Sequence, residues 1–232
     1  MTERLRSVPA ATMHLWLMLV LTFTTGMNDA VGYLGLDKVF TGNMTGNVVV
    51  LGMALTGGTQ LPVLGPALAL VGFMAGAAFG GRVLKGDKRA WGRRTTVLFS
   101  LVAAVMLALS VVLFVFGDAP VHAVKVTVTT LAAVAMGTQA AAARHIGVKD
   151  VTTVVVTSTL TGLAADSWFG TGKASWRGGG TARRALAVAL ILLGALVGAF
   201  LLKWHLAGGL LVAGVVILAA TVVGAWHARV SS

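Results

Sequence analysis

Residues 41–47 read TGNMTGN and interrupt an otherwise apolar chain with two threonines, two asparagines and two glycines. The residues around them are mainly Val, Leu, Ala, Gly and Met. Glycines in an apolar segment permit either close helix packing or local unwinding of the backbone. Unwinding would free backbone amides and carbonyls, to which the Asn and Thr side chains add donors and acceptors. The stretch therefore predicts a broken membrane helix with a polar site, or a structural cross-link between helices.

The composition is that of a polytopic integral membrane protein. The 232 residues are 57% hydrophobic and 11% charged, and several uncharged runs reach the ~18 residues that span a bilayer. The run after Arg4 and Arg6 is a full span without a convincing cleavage site, so no signal peptide is predicted. Cysteine is absent and the five histidines are scattered, so neither disulfides nor a metal or other cofactor is expected.

The net charge of +11 comes from basic residues that gather between the apolar runs. Lys and Arg accumulate on the cytoplasmic side of membrane proteins, so this charge predicts topology and contact with anionic lipid, not nucleic-acid binding. Apolar segments are predicted at about 13–34, 39–57, 61–84, 95–117, 121–143, 150–170, 183–204 and 206–227.

Two basic loops distinguish between possible topologies. Residues 82–94 hold six basic residues and one acid, and residues 172–184 hold four basic residues and no acid. If all eight segments crossed, these loops would face opposite sides. If 39–57 and 150–170 are broken or re-entrant, six segments cross, and both loops and the N-terminus lie in the cytoplasm. We therefore predict an all-α membrane protein with six crossing helices and two re-entrant ones; the alternative is eight full spans.

The chain also repeats itself. TGNMTGN aligns with TSTLTGL at 157–163, and GAAFGGRVLK at 76–85 aligns with GALVGAFLLK at 194–203. With three crossing helices each, the two repeats would be inverted, an arrangement that in many transporters places the site at their interface. Eight spans would make the repeats parallel, and chance similarity between apolar segments is the competing explanation. The predicted single transmembrane domain and its two repeats cover 1–232, about 13–117 and about 121–227.

Asp29 is the strongest candidate for a functional residue. Apart from Asp150, the first residue of its segment, only Asp29 and Asp166 are acids within apolar segments, and an acid at membrane depth is a functional candidate by default. Gly26 and Gly32 flank Asp29 and predict a helix break. A carboxyl group at this depth could carry a proton and couple it to transport; an acid at headgroup level paired with Lys38 is the alternative. Asp166 lies near the end of its segment and is expected at the interface.

Polar residues from both repeats are predicted to line one site. Gln139 falls roughly opposite Asn28, whereas no acid in the second half corresponds to Asp29. The predicted solute contacts besides Asp29 are Asn28, Tyr33, Thr41, Asn43, Thr45, Asn47, Gln139, Thr157, Thr159 and Thr161. Close helix packing is predicted at Gly42, Gly46, Gly72, Gly76, Gly80, Gly194 and Gly198. For any single polar residue, a cross-link between helices is the alternative role.

The stretch GMNDAVGYLGLDKVFTGNMTGNVVVLG at 26–52 resembles the signature of the YoaK-type family of bacterial inner-membrane proteins. The residues that carry the resemblance are Asp29, Tyr33, Leu34, Asn43, Met44, Thr45, Gly46 and Asn47. The resemblance implies a bacterial cytoplasmic membrane and a shared fold. The family is of uncertain function and its members are sometimes labelled permeases, so the resemblance names no substrate.

These features favour a transporter or permease for a small solute, proton-coupled through Asp29, with its site between the repeats. The alternatives are a passive channel and a non-transporting membrane scaffold or partner subunit. An enzyme is not expected, because the sequence has no His–Glu metal pair, no Gly-x-Ser-x-Gly and no close pair of acids. The expected partners are the lipid bilayer, an unidentified solute or ion, and a second copy of the chain in a homodimer.

Overall fold

A computed structural model describes residues 8–57, 60–149, 156–172 and 180–230, and within these ranges the chain is helical, with no strand. The helices are α1 Ala10–Val31, α2 Met44–Leu55, α3 Leu64–Leu84, α4 Arg93–Phe116, α5 His122–Ile146, α6 Val156–Ala165, α7 Gly180–Leu202 and α8 Gly208–Val230. At its end, α1 continues into a π-helical stretch, Gly32–Asp37.

Six of the helices within the described ranges are long and apolar enough to cross a bilayer. They are α1 with its π-helical extension, α3, α4, α5, α7 and α8. The other two, α2 and α6, have 12 and 10 residues. At ~1.5 Å per residue, a helix of that length falls well short of the ~30 Å hydrocarbon core. The prediction of six crossing helices and two short motif helices is confirmed.

One end of the bundle, which we call the basic end, carries the basic loop between α3 and α4. His145, at the end of α5, has its Nε2 3.0 Å from the carbonyl oxygen of Arg89 in the α3–α4 loop. His227, near the end of α8, has its Nε2 3.0 Å from the carbonyl oxygen of Val8, which precedes α1. The start of α1 and the ends of α3, α5 and α8 therefore lie at the basic end.

The opposite end, which we call the distal end, holds Asp37 and Asp118. The backbone N–H of Leu206, between α7 and α8, donates to Asp118 Oδ1 at 2.7 Å, and His122 at the start of α5 lies 3.9 Å from Asp37. A Cβ on Gly65, at the start of α3, would lie 3.0 Å from Asp37 Oδ2. Thus α1 ends and α3 begins at the same end. The short α2 between them is re-entrant, and the alternative of eight full spans is wrong.

Glycines bring α1 and α7 together in parallel. Gly194 lies against the Phe23 carbonyl with no room for a Cβ, and a Cβ on Gly198 would lie 2.7 Å from the Met27 carbonyl oxygen. Small residues allow such close approach of helix backbones in membranes. Gly194 contacts Phe23 and Gly198 contacts Met27, so the two helices run in the same direction. Hence α7 begins at the basic end, as α1 does. The α6 helix lies between the basic end of α5 and the start of α7, which makes it the second re-entrant helix.

The same packing between α3 and α5 relates the two halves of the molecule. Gly76 lies against the Val134 carbonyl and Gly137 against the Phe73 carbonyl, just as Gly26 of α1 lies against a carbonyl of α7. Each half therefore packs its first helix on the second crossing helix of the other half. This is the exchange that the predicted inverted repeats, with three crossing helices each, would produce. The predicted packing glycines at these two interfaces are Gly72, Gly76, Gly80, Gly194 and Gly198.

The re-entrant path of α2 predicts the sidedness of introduced cysteines. The native sequence has none, and Lys38, Thr56 and Lys88 are exposed. Lys38→Cys and Thr56→Cys are expected to react with a membrane-impermeant maleimide from one side of intact cells, and Lys88→Cys only after the other side is made accessible. Reaction of Lys38→Cys and Thr56→Cys from opposite sides would mean that α2 crosses the membrane.

Candidate functional site

Asp29 anchors the loop that precedes α2. Its Oδ1 accepts hydrogen bonds from the backbone N–H groups of Gly42 at 2.7 Å, Thr41 at 2.9 Å and Asn43 at 3.4 Å, and from the Thr41 hydroxyl at 3.3 Å. Successive backbone N–H groups of this kind form an anion-binding concavity. Here the chain's own carboxylate occupies it. These contacts, and not the alternative pairing with Lys38, hold Asp29 in place.

The polar residues of the TGNMTGN stretch fold the loop and start the helix. The chain reverses at Lys38, whose backbone is left-handed with φ 51°. Asn47 then clamps Phe40: its Oδ1 accepts from the Phe40 N–H at 2.9 Å and its Nδ2 donates to the Phe40 carbonyl at 2.6 Å. Asn43 caps α2 by accepting from the Gly46 N–H at 3.1 Å. The loop is therefore held by side chains and not by regular secondary structure.

Removal of the Asn47 clamp is expected to destabilise the protein more than removal of the Asn43 cap. Asn47→Ala leaves both backbone groups of Phe40 without their partner, a loss of about 2–4 kcal/mol for two partly buried groups. Asn43→Ala removes one cap, a loss of about 1 kcal/mol. The free energy of unfolding of each variant is measured in the same mixed micelles, and the two losses relative to the native protein are compared. Equal losses would contradict the role of the clamp.

A cavity of about 450 Å³ opens beside Asp29, within the ~300–1,000 Å³ typical of small-molecule sites. Its polar lining consists of Asp29, Tyr33, Asn43, Thr45 and Thr157. The start of α2 thus contributes Asn43 and Thr45, whereas the start of α6 contributes Thr157. Since α2 returns to the distal end and α6 to the basic end, re-entrant elements from opposite ends of the bundle meet at this cavity.

A second, largely apolar cavity of about 500 Å³ is open to the surface of the bundle and shares lining residues with the first. The residues that line both are Asp29, Tyr33, Phe40, Val156 and Ile191. The rings of Tyr33 and Phe40 stack with their centroids 4.7 Å apart. Asp29 Oδ2 accepts no hydrogen bond from the described residues. Among the described residues that line either cavity, Asp29 alone carries a formal charge.

Asn28 and Gln139 lie outside both cavities, in the buried crossing of α1 and α5. Asn28 Nδ2 donates to Met136 Sδ at 3.3 Å, and Gln139 Nε2 donates to Thr25 Oγ1 at 3.3 Å. Both amide oxygens are buried without a hydrogen-bond partner in the described chain. Asn28 and Gln139 therefore cross-link two helices, and the predicted solute contact is not seen in this arrangement.

Other predicted solute contacts are divided between the cavity and the loop. Thr41 and Asn47 are buried and use their polar groups on Asp29 and Phe40, so neither lines a described cavity. In α6, Thr159 is buried, and the exposed Thr161 donates its hydroxyl hydrogen to the Thr157 carbonyl at 3.0 Å. Of the predicted set, the cavity brings together Asp29, Tyr33, Asn43, Thr45 and Thr157.

The structure places Gly42, one of the predicted helix-packing residues, in a loop and outside the helices. Gly42 precedes α2 and lies in the loop held by Asp29, where a Cβ would meet Thr25 Cγ2 at 3.0 Å and Met136 Cε at 3.3 Å. It therefore allows a loop, not a helix, to approach α1 and α5. Gly46 is in α2, where a Cβ would meet the Phe40 ring at 2.7 Å. Gly46 therefore packs against the loop that precedes α2 and not against another helix.

Asp166 is separate from the cavity and pairs with Arg184. Its Oδ2 lies 2.7 Å from Arg184 Nη1, and the Asp166 side chain is 38% exposed. This agrees with its expected place near the interface. The lining residues that sequence reasoning missed are Phe40, Val49, Val50, Val156 and Ile191. Apolar residues of this kind are abundant throughout the chain, and only the signature stretch around Phe40 offered any signal.

Comparison with known proteins agrees with this architecture. The pattern of a family described as "Protein of unknown function (DUF1275)" matches residues 17–223. The UPF0700 transmembrane protein YoaK of Bacillus subtilis (strain 168) is 33% identical over 158 residues, which cover 68% of this chain and 68% of that protein. The chain belongs to the YoaK-type family. With six long apolar helices, this YoaK-type protein is a multi-pass membrane protein. No solved structure matches the chain at a significant level.

Proposed function

We propose that this protein is a transporter that carries a small solute across the bacterial cytoplasmic membrane and exchanges a proton at Asp29. The observation that carries the proposal is the cavity beside Asp29, which residues of both halves line. An ionisable side chain facing a cavity within a membrane bundle is the usual sign of a solute or proton pathway. A scaffold protein has no need of such a cavity, and its polar residues would satisfy one another.

The re-entrant helices supply a means of opening the cavity to one side at a time. The start of α2 reaches the cavity from the distal end, and the start of α6 reaches it from the basic end. Movement of either element alone would open the cavity to one side while the other side stays closed. Inverted repeats with discontinuous helices support alternating access of this kind. The Asp29 carboxylate, linked to the loop before α2, would couple its own occupancy to that movement.

The basic end is proposed to face the cytoplasm, together with the N-terminus. Arg89, Arg144 and His145 lie there, whereas Asp37 and Asp118 lie at the distal end, and the positive-inside rule orients the molecule accordingly. The homodimer and the absence of enzyme activity stay predictions.

Solute-driven proton movement in proteoliposomes tests the proposed function. Purified protein is reconstituted with a pH-sensitive dye inside the vesicles, and cationic, neutral and anionic small solutes are added outside in turn. We expect at least one solute class to change the internal pH in protein-containing vesicles and not in protein-free ones. Solute entry without any proton movement would favour the channel alternative. No solute entry in vesicles with correctly folded protein would contradict transport altogether.

A further inference from the structure

We infer that the substrate of this cavity is a small organic cation, with a protonated or quaternary amine held between Asp29 and the Tyr33–Phe40 ring pair. The inference rests on the proposed function, because it names the substrate class of the same site. Three features of the described residues carry it: the formal charge of the lining, the two aromatic rings and the adjoining apolar cavity.

The charge of the lining favours a cation. Asp29 is the only formally charged residue among the described residues that line the two cavities. The backbone N–H groups of residues 41–43, which could otherwise bind an anion, already bind Asp29 Oδ1. Oδ2 is left without a hydrogen bond from the described residues. An anion in this cavity would therefore meet a like charge, whereas an ammonium group would meet its counter-charge.

The stacked rings add a second feature that recognises cations. Tyr33 and Phe40 both line both cavities, with their centroids 4.7 Å apart. The face of an aromatic ring carries partial negative charge and attracts an ammonium or quaternary amine within about 6 Å of its centroid. The Asn47 clamp on the Phe40 backbone fixes the position of that ring relative to Asp29. A carboxylate beside aromatic faces is a suitable environment for an alkylammonium group.

The apolar cavity accommodates the hydrocarbon part of such a cation. Its further lining includes Leu34, Val188, Leu192 and Ala195, and it meets the polar cavity at Asp29. Thr45 and Thr157 lie on the polar side and offer hydroxyl groups. A solute with one amine, apolar substituents and a hydroxyl group would therefore satisfy both sides. A multiply charged or strongly anionic solute would not.

Binding of choline and of its uncharged isostere tests the inference. Titration calorimetry on the purified full-length protein in detergent compares choline, 3,3-dimethyl-1-butanol, which has the same shape without the charge, and isobutyrate. We expect saturable choline binding that is roughly tenfold or more tighter than binding of the alcohol, with no binding of isobutyrate. Equal binding of choline and the alcohol, preferential binding of isobutyrate, or no saturable binding of choline would overturn the inference.

Ring substitutions separate cation recognition from general packing. Tyr33→Leu and Phe40→Leu are expected to weaken choline binding roughly three- to thirtyfold while leaving the weak binding of the alcohol almost unchanged. Phe79→Leu is the matched control, since Phe79 is exposed on α3 and lines neither cavity. Parallel loss of choline and alcohol binding in the ring variants would instead indicate a purely apolar contact and contradict the role of the rings.

The binding and flux measurements together distinguish failure of the proposed cation site from failure of the proposed transport function. Choline binding without any solute flux in proteoliposomes would contradict the transporter and retain the cation site. Flux of a neutral or anionic solute without choline binding would retain the transporter and contradict the cation class.

Discussion

Asp29→Asn is expected to leave the protein folded and inserted but to abolish solute-driven proton movement. The asparagine side chain keeps an oxygen that can accept the hydrogen bonds of Thr41, Gly42 and Asn43, so the loop before α2 retains its anchor. It replaces the free Oδ2 by an amide that neither titrates nor carries charge. Internal pH in proteoliposomes after solute addition measures the effect, and the variant should match protein-free vesicles. Retention of proton movement in Asp29→Asn would rule out coupling through this residue.

Asp29→Ala supplies the structural comparison for that result. Alanine offers no acceptor, so the N–H groups of residues 41–43 lose their shared partner. A donor shielded from water and left without an acceptor costs about 1–3 kcal/mol, and this applies to the partly buried N–H groups of Thr41 and Gly42. We therefore expect Asp29→Ala to be markedly less stable than Asp29→Asn in the same micelles. If both variants were equally unstable, loss of transport in Asp29→Asn would reflect misfolding.

Gly76→Ala and Gly194→Ala are expected to destabilise the bundle to a similar extent. Gly76 lies against the Val134 carbonyl and Gly194 against the Phe23 carbonyl, in both cases without room for a Cβ. The added methyl group must push α3 from α5 or α7 from α1, and overpacking of this kind costs about 1–3 kcal/mol. The similarity follows from the inverted repeat, which places the two glycines in equivalent interfaces. Unfolding free energies in mixed micelles provide the measurement.

Gly81→Ala and Gly52→Ala are the matched controls for these two variants. Gly81 lies in α3 and Gly52 in α2, and a Cβ at either position would meet nothing within 4 Å. Each control is expected to stay within about 0.5 kcal/mol of the native protein. A loss at Gly81 as large as that at Gly76 would show that the cost arises within the helix and not at the interface with α5.

Much of the fold could be predicted because its causes are visible in the sequence. Long apolar runs give the crossing helices, and the basic loops at 82–94 and 172–184 fall on one side only if two segments are re-entrant. The aligned stretches at 76–85 and 194–203 contain the glycines that pack in equivalent ways. Charge, glycine spacing and repetition each reflect a constraint of the bilayer, so they carry structural information without any knowledge of tertiary contacts.

The division of roles among the polar residues could not be predicted in the same way. Asn43 and Asn47 lie four residues apart, yet one lines the cavity and the other binds the Phe40 backbone. The direction of an amide side chain depends on the path of the loop, which a buried acid twelve or more residues away determines. Apolar lining residues such as Val156 and Ile191 are likewise indistinguishable from those that face lipid or another helix. Only the packed structure separates these roles.

The position of a bound solute tests the central claim most directly. A structure of the purified protein in a lipid nanodisc, determined with a solute that it transports, would show where that solute lies. We predict solute density in the cavity between α1, α2, α6 and α7, in contact with the Asp29 carboxylate. An ordered solute elsewhere, with the cavity filled by a lipid acyl chain or closed by side chains, would contradict the proposed site.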